Sequence, residues 1–367
     1  MNLNVSKESL IEGIQIVQNA VSLKSSLPIL SNVLIDVTGG TMKMTATDLD
    51  IGISATISVE CEQEGSITVP ARKFFDIIRA LPDGSEIAIT LKKNNFVSIK
   101  SGKSAFKIIG LPKEEFPQLP LFKNKDSITI NQKKLKEMLT LTDFAVSKDD
   151  TRYILNGLLF NIKEDKIRLV ATDGRRLAAI DRTLTTKTLT EKKAIIPTKA
   201  LVEVKRMLKD EGDIKIEFSE NQVLFDFSNS FIISRMIEGE YPNYQNVIPE
   251  KTQQEIRVSR EAFLSATKRA SIFTDQDSMA IKLDIKKKKM TISKNTPYLG
   301  EAKEEIDIEY TGTEDIEIGF NPKYLIDVLK CLDGEEVALE VTSPNKPGVI
   351  RWGDEYTYVI LPMQLTT

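Results

Sequence analysis

Hydrophobic and polar positions along the chain follow a pattern that is written three times. "LNVSKESLIEGIQIVQNAV" from residue 3, "ITINQKKLKEMLTLTDFAV" from 128 and "IRVSREAFLSATKRASIF" from 256 each open with a few alternating residues. Each then continues with an apolar stripe at helical spacing. The period of two predicts a short strand and the period of 3.6 a helix, with Ser or Asn placed as the N-cap between them. Two further alternating runs follow in every copy: "NVLIDVTGGTMKMTATD", "NGLLFNIKEDKIRLVATD" and "MAIKLDIKKKKMTISKN". Gly39-Gly40, Glu164-Asp165 and a lysine run stand at their centres, where a hairpin needs its turn.

The second half of each copy repeats too. "VPARKFFDIIRALPDGSEIAITL", "IPTKALVEVKRMLKDEGDIKIEF" and "FNPKYLIDVLKCLDGEEVALEV" read as a Pro-marked helix, a turn and a strand. Proline is expected at an early helical position, because the N–H it lacks would be unpaired there. The first two copies close alike, with Phe116-Pro117 and Tyr241-Pro242 set 125 residues apart. Ala46-Thr47-Asp48 and Ala171-Thr172-Asp173 are equivalent strand ends at the same interval. The pattern predicts an α+β chain of three domains of about 120 residues, each with two helices packed on antiparallel sheets. Their expected bounds are 1–122, 123–250 and 251–367. Six helices are expected, near 6–22, 70–81, 131–144, 197–209, 259–270 and 321–332.

Charge changes the picture once it is divided by element. The whole chain is close to neutral, at −3, yet the six helical spans sum to +8 and the remainder to −11. If the helices face one shared surface, that surface suits a polyanion whose backbone is held without reading its sequence. Aromatic residues are sparse on the polar helix faces, which favours a duplex over a stacked single strand. Ordinary solvated helix faces, for which Lys and Arg are good formers, fit the count as well.

The chemistry that is missing narrows the classes. The chain has no histidine, hence no Ser-His or Cys-His nucleophile, no His-ligated metal and no imidazole shuttle. Neither GxxxxGK[ST] nor GxGxxG occurs. Cys61 and Cys331 are too far apart in sequence to suggest a metal-ligand or disulfide framework. Carboxylate-only hydrolysis stays open, although 53 acidic residues supply pairs by chance. No apolar run approaches a membrane span, and the start "MNLNVSKESLIEG" lacks the features of a secretory signal. The expectation is a non-catalytic cytoplasmic protein without cofactor or metal.

Specific stretches carry a resemblance across nearly the whole chain. "LPIL" at 27–30, "TATDLDIGI" at 45–53, "VPARKFFDIIRALP" at 69–82, "RYILNGLLF" at 152–160 and "VATDGRRLA" at 170–178 are joined by "EGEYPNYQNVIP" at 238–249, "IEIGFNPKYLIDVL" at 316–329 and the terminal "VILPMQL". Together, in order and at matching spacing, they resemble the bacterial sliding clamps, the beta subunits of DNA polymerase III. The resemblance implies a head-to-tail homodimer closing a six-domain ring around double-stranded DNA. It implies as partners a clamp loader, the replicative polymerase and other proteins with short clamp-binding peptides.

The resemblance also implies three sets of residues. A peptide-docking pocket would be built from Leu155, Thr172, Gly174, Arg175, Arg176, Leu177, Pro242, Val247, Ile360, Pro362, Met363 and Leu365, side chains that can form an adaptable apolar groove. DNA-facing cations would be Lys24, Arg72, Lys73, Arg79, Arg152 and Lys199. The seam between chains would set Phe106 and Ile108 against Ile272 and Phe273, with Lys103 facing Glu301, Glu304 and Glu305. The chain departs from the family's common pattern at Arg175, where His is frequent, and at Asn246, where a basic residue often lies. It departs again in the ending Leu-Pro-Met-Gln-Leu followed by Thr366 and Thr367. A repeat-built scaffold that binds only proteins is the alternative reading.

Overall fold

The computed structural model describes residues 1–22, 27–120, 122, 127–184, 191–252, 254–276 and 278–365. Lys24, Thr366 and Thr367 lie outside them. Among the described residues six α-helices form: α1 Lys7–Val17, α2 Ala71–Ala80, α3 Gln132–Thr142, α4 Thr198–Met207, α5 Arg260–Ala270 and α6 Pro322–Cys331. Each falls inside its expected span. The Ser6 hydroxyl accepts from the Ser9 N–H at 3.2 Å to start α1, and Ser259 starts α5 in the same way. Such caps contribute about 1 kcal/mol each. Leu10, Ile14 and Val17 form the buried stripe of α1, and Phe74, Phe75 and Ile78 that of α2. Full burial stabilises by roughly 1.5–3 kcal/mol for each large side chain.

The prolines divide differently from the expectation. Pro322 is the first residue of α6, whereas Pro70 and Pro197 are the last residues of strands Gly65–Pro70 and Lys192–Pro197. Both strands are sheet edges, where a residue without an N–H leaves no ladder bond unmade.

Three antiparallel sheets carry the chain. The five-stranded sheet runs Glu60–Gln63, Asn2–Ser6, Glu86–Leu91, Phe96–Ser101, Ser104–Ile109. The eight-stranded sheet runs Ser127–Asn131, Asp213–Phe218, Gln222–Asp226, Ser230–Arg235, Ile51–Ser58, Thr41–Thr47, Asn32–Thr38, Gly65–Pro70. The twelve-stranded sheet begins with Lys192–Pro197, Gly157–Lys163, Lys166–Thr172, Arg176–Thr183, Tyr356–Ile360 and Gly348–Trp352. It continues with Glu336–Glu340, Glu255–Ser259, Gly300–Tyr310, Lys289–Thr296, Ile281–Lys286 and Ile316–Phe320. The expected hairpins close with two-residue turns, between Thr38 and Thr41, Lys163 and Lys166, and Lys286 and Lys289.

The chain forms two compact units, residues 1–133 with 199–236 and residues 134–198 with 237–367. Each unit contains one joint at which a strand of one repeat pairs with a strand of the next. In the first unit Ile51–Ser58 pairs with Ser230–Arg235, and in the second Arg176–Thr183 pairs with Tyr356–Ile360. This pairing is why the middle repeat is shared between the units. Among the described residues no helix is long and apolar enough to cross a membrane.

Candidate functional site

The two Ala-Thr-Asp segments build the same turn. Thr47 Oγ1 donates to the Ile51 carbonyl at 2.8 Å and accepts from the Leu49 N–H at 3.0 Å, while Asp48 Oδ1 accepts from the N–H groups of Asp50 and Ile51 at 3.1 and 3.0 Å. Thr172 Oγ1 donates to the Arg176 carbonyl at 2.6 Å and accepts from Gly174 at 3.0 Å, while Asp173 Oδ1 accepts from Arg175 and Arg176 at 2.9 and 3.1 Å. Short hydroxyl and carboxylate side chains are the ones able to close such local loops. The third residue of the turn is left-handed both times, φ +78° at Leu49 and +85° at Gly174; in the third repeat the left-handed residue is Tyr298, φ +67°, one place later. Each of the first two turns is tied to the neighbouring repeat's strand, Arg235 N–H to Asp50 O at 3.0 Å and Leu361 N–H to Arg175 O at 2.9 Å.

At the second turn the surface opens into an apolar groove enclosing about 170 Å³. Leu155, Thr172, Gly174, Arg175, Arg176, Leu177, Pro242 and Val247 line it, so eight of the twelve residues expected there are brought together. Asn243, Tyr244, Val359 and Leu361 complete the wall. Val247 is 50% exposed and Leu361 41%, a lip of uncovered hydrocarbon above a buried floor of Leu177, Tyr244 and Val359. Burial raises the Tyr241 phenol above its usual pKa, so its hydroxyl stays protonated beside this floor.

Ile360 does not join the groove. Strand alternation points Val359 and Leu361 toward it and turns Ile360 to the other side, where it is fully buried. Pro362, Met363 and Leu365 are also absent from the wall: the Met363 N–H donates to Gly319 O at 2.8 Å, and Leu365 lies against Gly319. The last strand gave no sequence signal for Val359 and Leu361, because residues 358–361 are all apolar. Tyr244 carried none beyond its place in the closing segment.

Arg176 fixes the turn from below. Its guanidinium is buried and donates to Asp173 at 3.0 Å, Asp327 on α6 at 2.7 Å and the Phe144 carbonyl at 2.6 Å, with the Tyr324 ring 4.5 Å away. Burial opposes its charge, but Tyr358 and the carboxylates of Asp327 and Asp173 outweigh that effect and hold it protonated.

The expected DNA-facing cations separate into two groups. The observed helices hold fifteen Lys and Arg against seven Asp and Glu. Arg72 and Lys73 stand exposed on α2 without an ion pair among the described residues, and Arg79 donates to Gln18 while lying over the Phe75 ring. Lys199 is instead paired with Asp48 of the first turn. Arg152 pairs with Asp149 at 3.8 Å and donates to the Asp173 carbonyl at 3.2 Å, which makes it part of the groove's rim. Their partners neutralise charge that the sequence alone leaves free.

The seam residues fall on two exposed features. Phe106 and Ile108 belong to Ser104–Ile109, an edge strand that pairs only with Phe96–Ser101. Residues 300–307 of strand Gly300–Tyr310 pair only with Lys289–Thr296 and so also present an open edge. Beside them Ile272 is 72% exposed, Leu299 58%, and Tyr298 fully. An apolar surface of this kind marks an interaction site more often than a solvated face. Of the acids expected opposite Lys103, Glu304 is held by Arg269 at 2.6 Å and Glu305 by Lys289 at 2.6 Å. Glu301 has no ion pair among the described residues.

Family models cover the chain in three blocks: the DNA polymerase III beta subunit N-terminal domain at residues 1–120, its central domain at 129–243 and its C-terminal domain at 245–364. The chain is 33% identical over 370 residues to the beta sliding clamp of Escherichia coli K12, covering all of both chains. It is 32% identical over 365 residues to that of Chlamydia muridarum, covering 100% of this chain and 99% of the relative. Among solved structures it is similar to the sliding clamp of Bacillus subtilis, at a TM-score of 0.95 and 32% identity. It is equally similar to the DNA polymerase III subunit beta of Pseudomonas aeruginosa bound to griselimycin, at 0.95 and 31%. Both matches span all of both chains.

Proposed function

The chain belongs to the DNA polymerase III beta subunit family, the non-catalytic sliding clamps of replication, and on that premise we propose how this sequence performs the task. Two copies join head to tail into a six-domain ring, with domain boundaries at 122/123 and 250/251. The ring holds duplex DNA without reading it, and its linkage to DNA is topological. A clamp loader opens it, and the replicative polymerase and other proteins dock short peptides in the apolar groove beside Thr172–Leu177. The compartment is the cytoplasm.

One observation carries the reading. The chain makes the same strand joint twice within itself, at Ile51–Ser58 with Ser230–Arg235 and at Arg176–Thr183 with Tyr356–Ile360. It leaves the two halves of a third joint, Ser104–Ile109 and Gly300–Tyr310, with open edges. These halves sit at repeat-equivalent positions, so a second copy completes what one copy cannot. A heterologous contact that closes by rotation gives a ring. The exposed cations Arg72, Lys73, Lys133, Lys268, Lys323 and Lys330 on the helices supply the sequence-independent attraction.

The test is retention on nicked circular DNA after loading by a clamp loader, before and after linearisation. Retention on the circle with rapid loss from the cut molecule is the expected result. Equal loss from both would leave a protein-binding scaffold with ordinary electrostatic attraction to DNA.

A further inference from the structure

Strand Lys289–Thr296 carries a charge in its core-facing register. Met290, Ile292, Lys294 and Thr296 alternate as its buried positions, and Lys294 is only 6% exposed. It stands at the place that Ala46 and Ala171 hold in the first two repeats, where a small aliphatic side chain is fully buried. The Lys294 ammonium donates to Ser278 Oγ and to the Ala280 carbonyl at 3.0 Å. Among the described residues no carboxylate lies within ion-pair distance of it. Burial lowers its pKa from the ordinary lysine value, with Asp275 acting the other way.

What Lys294 holds is the segment that displays the seam. The segment leaves α5 through the 3-10 turn Ser271–Phe273 and returns to the sheet at Ile281. Thr296, two residues along the same strand, donates to the Phe273 carbonyl. Asp275 Oδ1 accepts from the Ser278 N–H at 2.7 Å, and the Phe273 ring lies over Gly300, whose φ is +125°. The two buried polar groups of one strand therefore pin Phe273, beside the exposed Ile272, and the return at Ser278 and Ala280.

We infer that Lys294 is a positioning residue for the joint between chains: its ammonium fixes Ser278 and Ala280, where the chain returns to the sheet, so that Ile272 and Phe273 are presented in a set geometry to the second copy. This rests on the ring reading above. A buried ammonium is a costly choice for stability alone, since apolar replacement of a buried charge is often neutral or favourable. Its retention here is explained by what it orients.

The experiment compares sedimentation equilibrium of Lys294→Met, Ser278→Ala and the double variant with the parent. The expected result is a dimer dissociation constant raised tenfold or more by Lys294→Met and less by Ser278→Ala, with the double variant no weaker than Lys294→Met. In an Ile272→Asp background, kept monomeric, Lys294→Met should leave the urea midpoint unchanged or raise it. A dimer constant within twofold of the parent overturns the inference. A urea midpoint that falls in the monomer together with dimer strength overturns it equally, because Lys294 would then be an ordinary core residue. A parent chain that is itself monomeric at micromolar concentration would instead remove the ring reading.

Discussion

The two strand joints inside the chain share a backbone frame and differ in what they expose. At the first, Gly52 pairs with Ile233, and Leu119 lies directly over Gly52: a Cβ there would meet the Leu119 side chain at 2.6 Å. At the second, the equivalent places are Leu177, Val359 and Tyr244, and a groove stands open beside them. The first turn spends its aspartate on an exposed lysine, Lys199, whereas the second uses Asp173 to hold the buried Arg176. Repetition thus supplies a rigid platform, and a few side chains on it decide whether the joint is closed or receptive.

Substitutions can break that contrast. The largest effect is expected at Leu177→Ala, which hollows the groove floor and should cost about 3 kcal/mol. Urea unfolding followed by the fluorescence of the chain's one tryptophan, Trp352, reads this unit directly. Next comes the paired test of the two aspartates. Asp173→Ala leaves a buried guanidinium short of a partner and should cost roughly 2–3 kcal/mol, whereas Asp48→Ala loses mainly turn hydrogen bonds, about 1 kcal/mol. Equal losses in urea unfolding, followed by circular dichroism, would mean that Arg176 adds nothing to the shared frame. The smallest effects have opposite signs. Leu49→Gly relieves a left-handed leucine and should stabilise by about 0.5 kcal/mol, while Gly174→Ala should destabilise by about 1 kcal/mol. Thermal unfolding of both variants checks the signs.

Much of this architecture was legible from spacing alone. The helices follow from stripes such as Leu10, Ile14 and Val17, and the hairpins from two-residue turns between alternating runs. The groove's expected location came from the family resemblance carried by "VATDGRRLA" and "EGEYPNYQNVIP" and not from spacing. Its last wall followed from neither, because Tyr358, Val359, Ile360 and Leu361 are all apolar and give no alternation by which to assign a face. Pro70 and Pro197 mark helix starts by local rule and became strand ends because their strands lie at sheet edges, a non-local fact. Lys199 and Arg152 read as free cations until Asp48, Asp149 and the Asp173 carbonyl were placed beside them. Lys294 was invisible for the same reason, since nothing in "TISKNT" announces a buried ammonium.

The central claim is that a second copy completes the third joint in the register of the first two. Ser230 pairs with Ala55 and Tyr356 with Ile180, which by repeat equivalence sets Ser104 of one chain opposite Glu304 of another. The most direct test is oxidative cross-linking of Ser104→Cys/Glu304→Cys with Cys61 and Cys331 replaced by serine, since paired strands bring Cα atoms within disulfide reach. The account expects an intermolecular disulfide at that pair and markedly less for Ser104→Cys/Lys303→Cys, one residue out of register. Absence of the cross-link in a chain that sediments as a dimer, or equal linking at both registers, would contradict it.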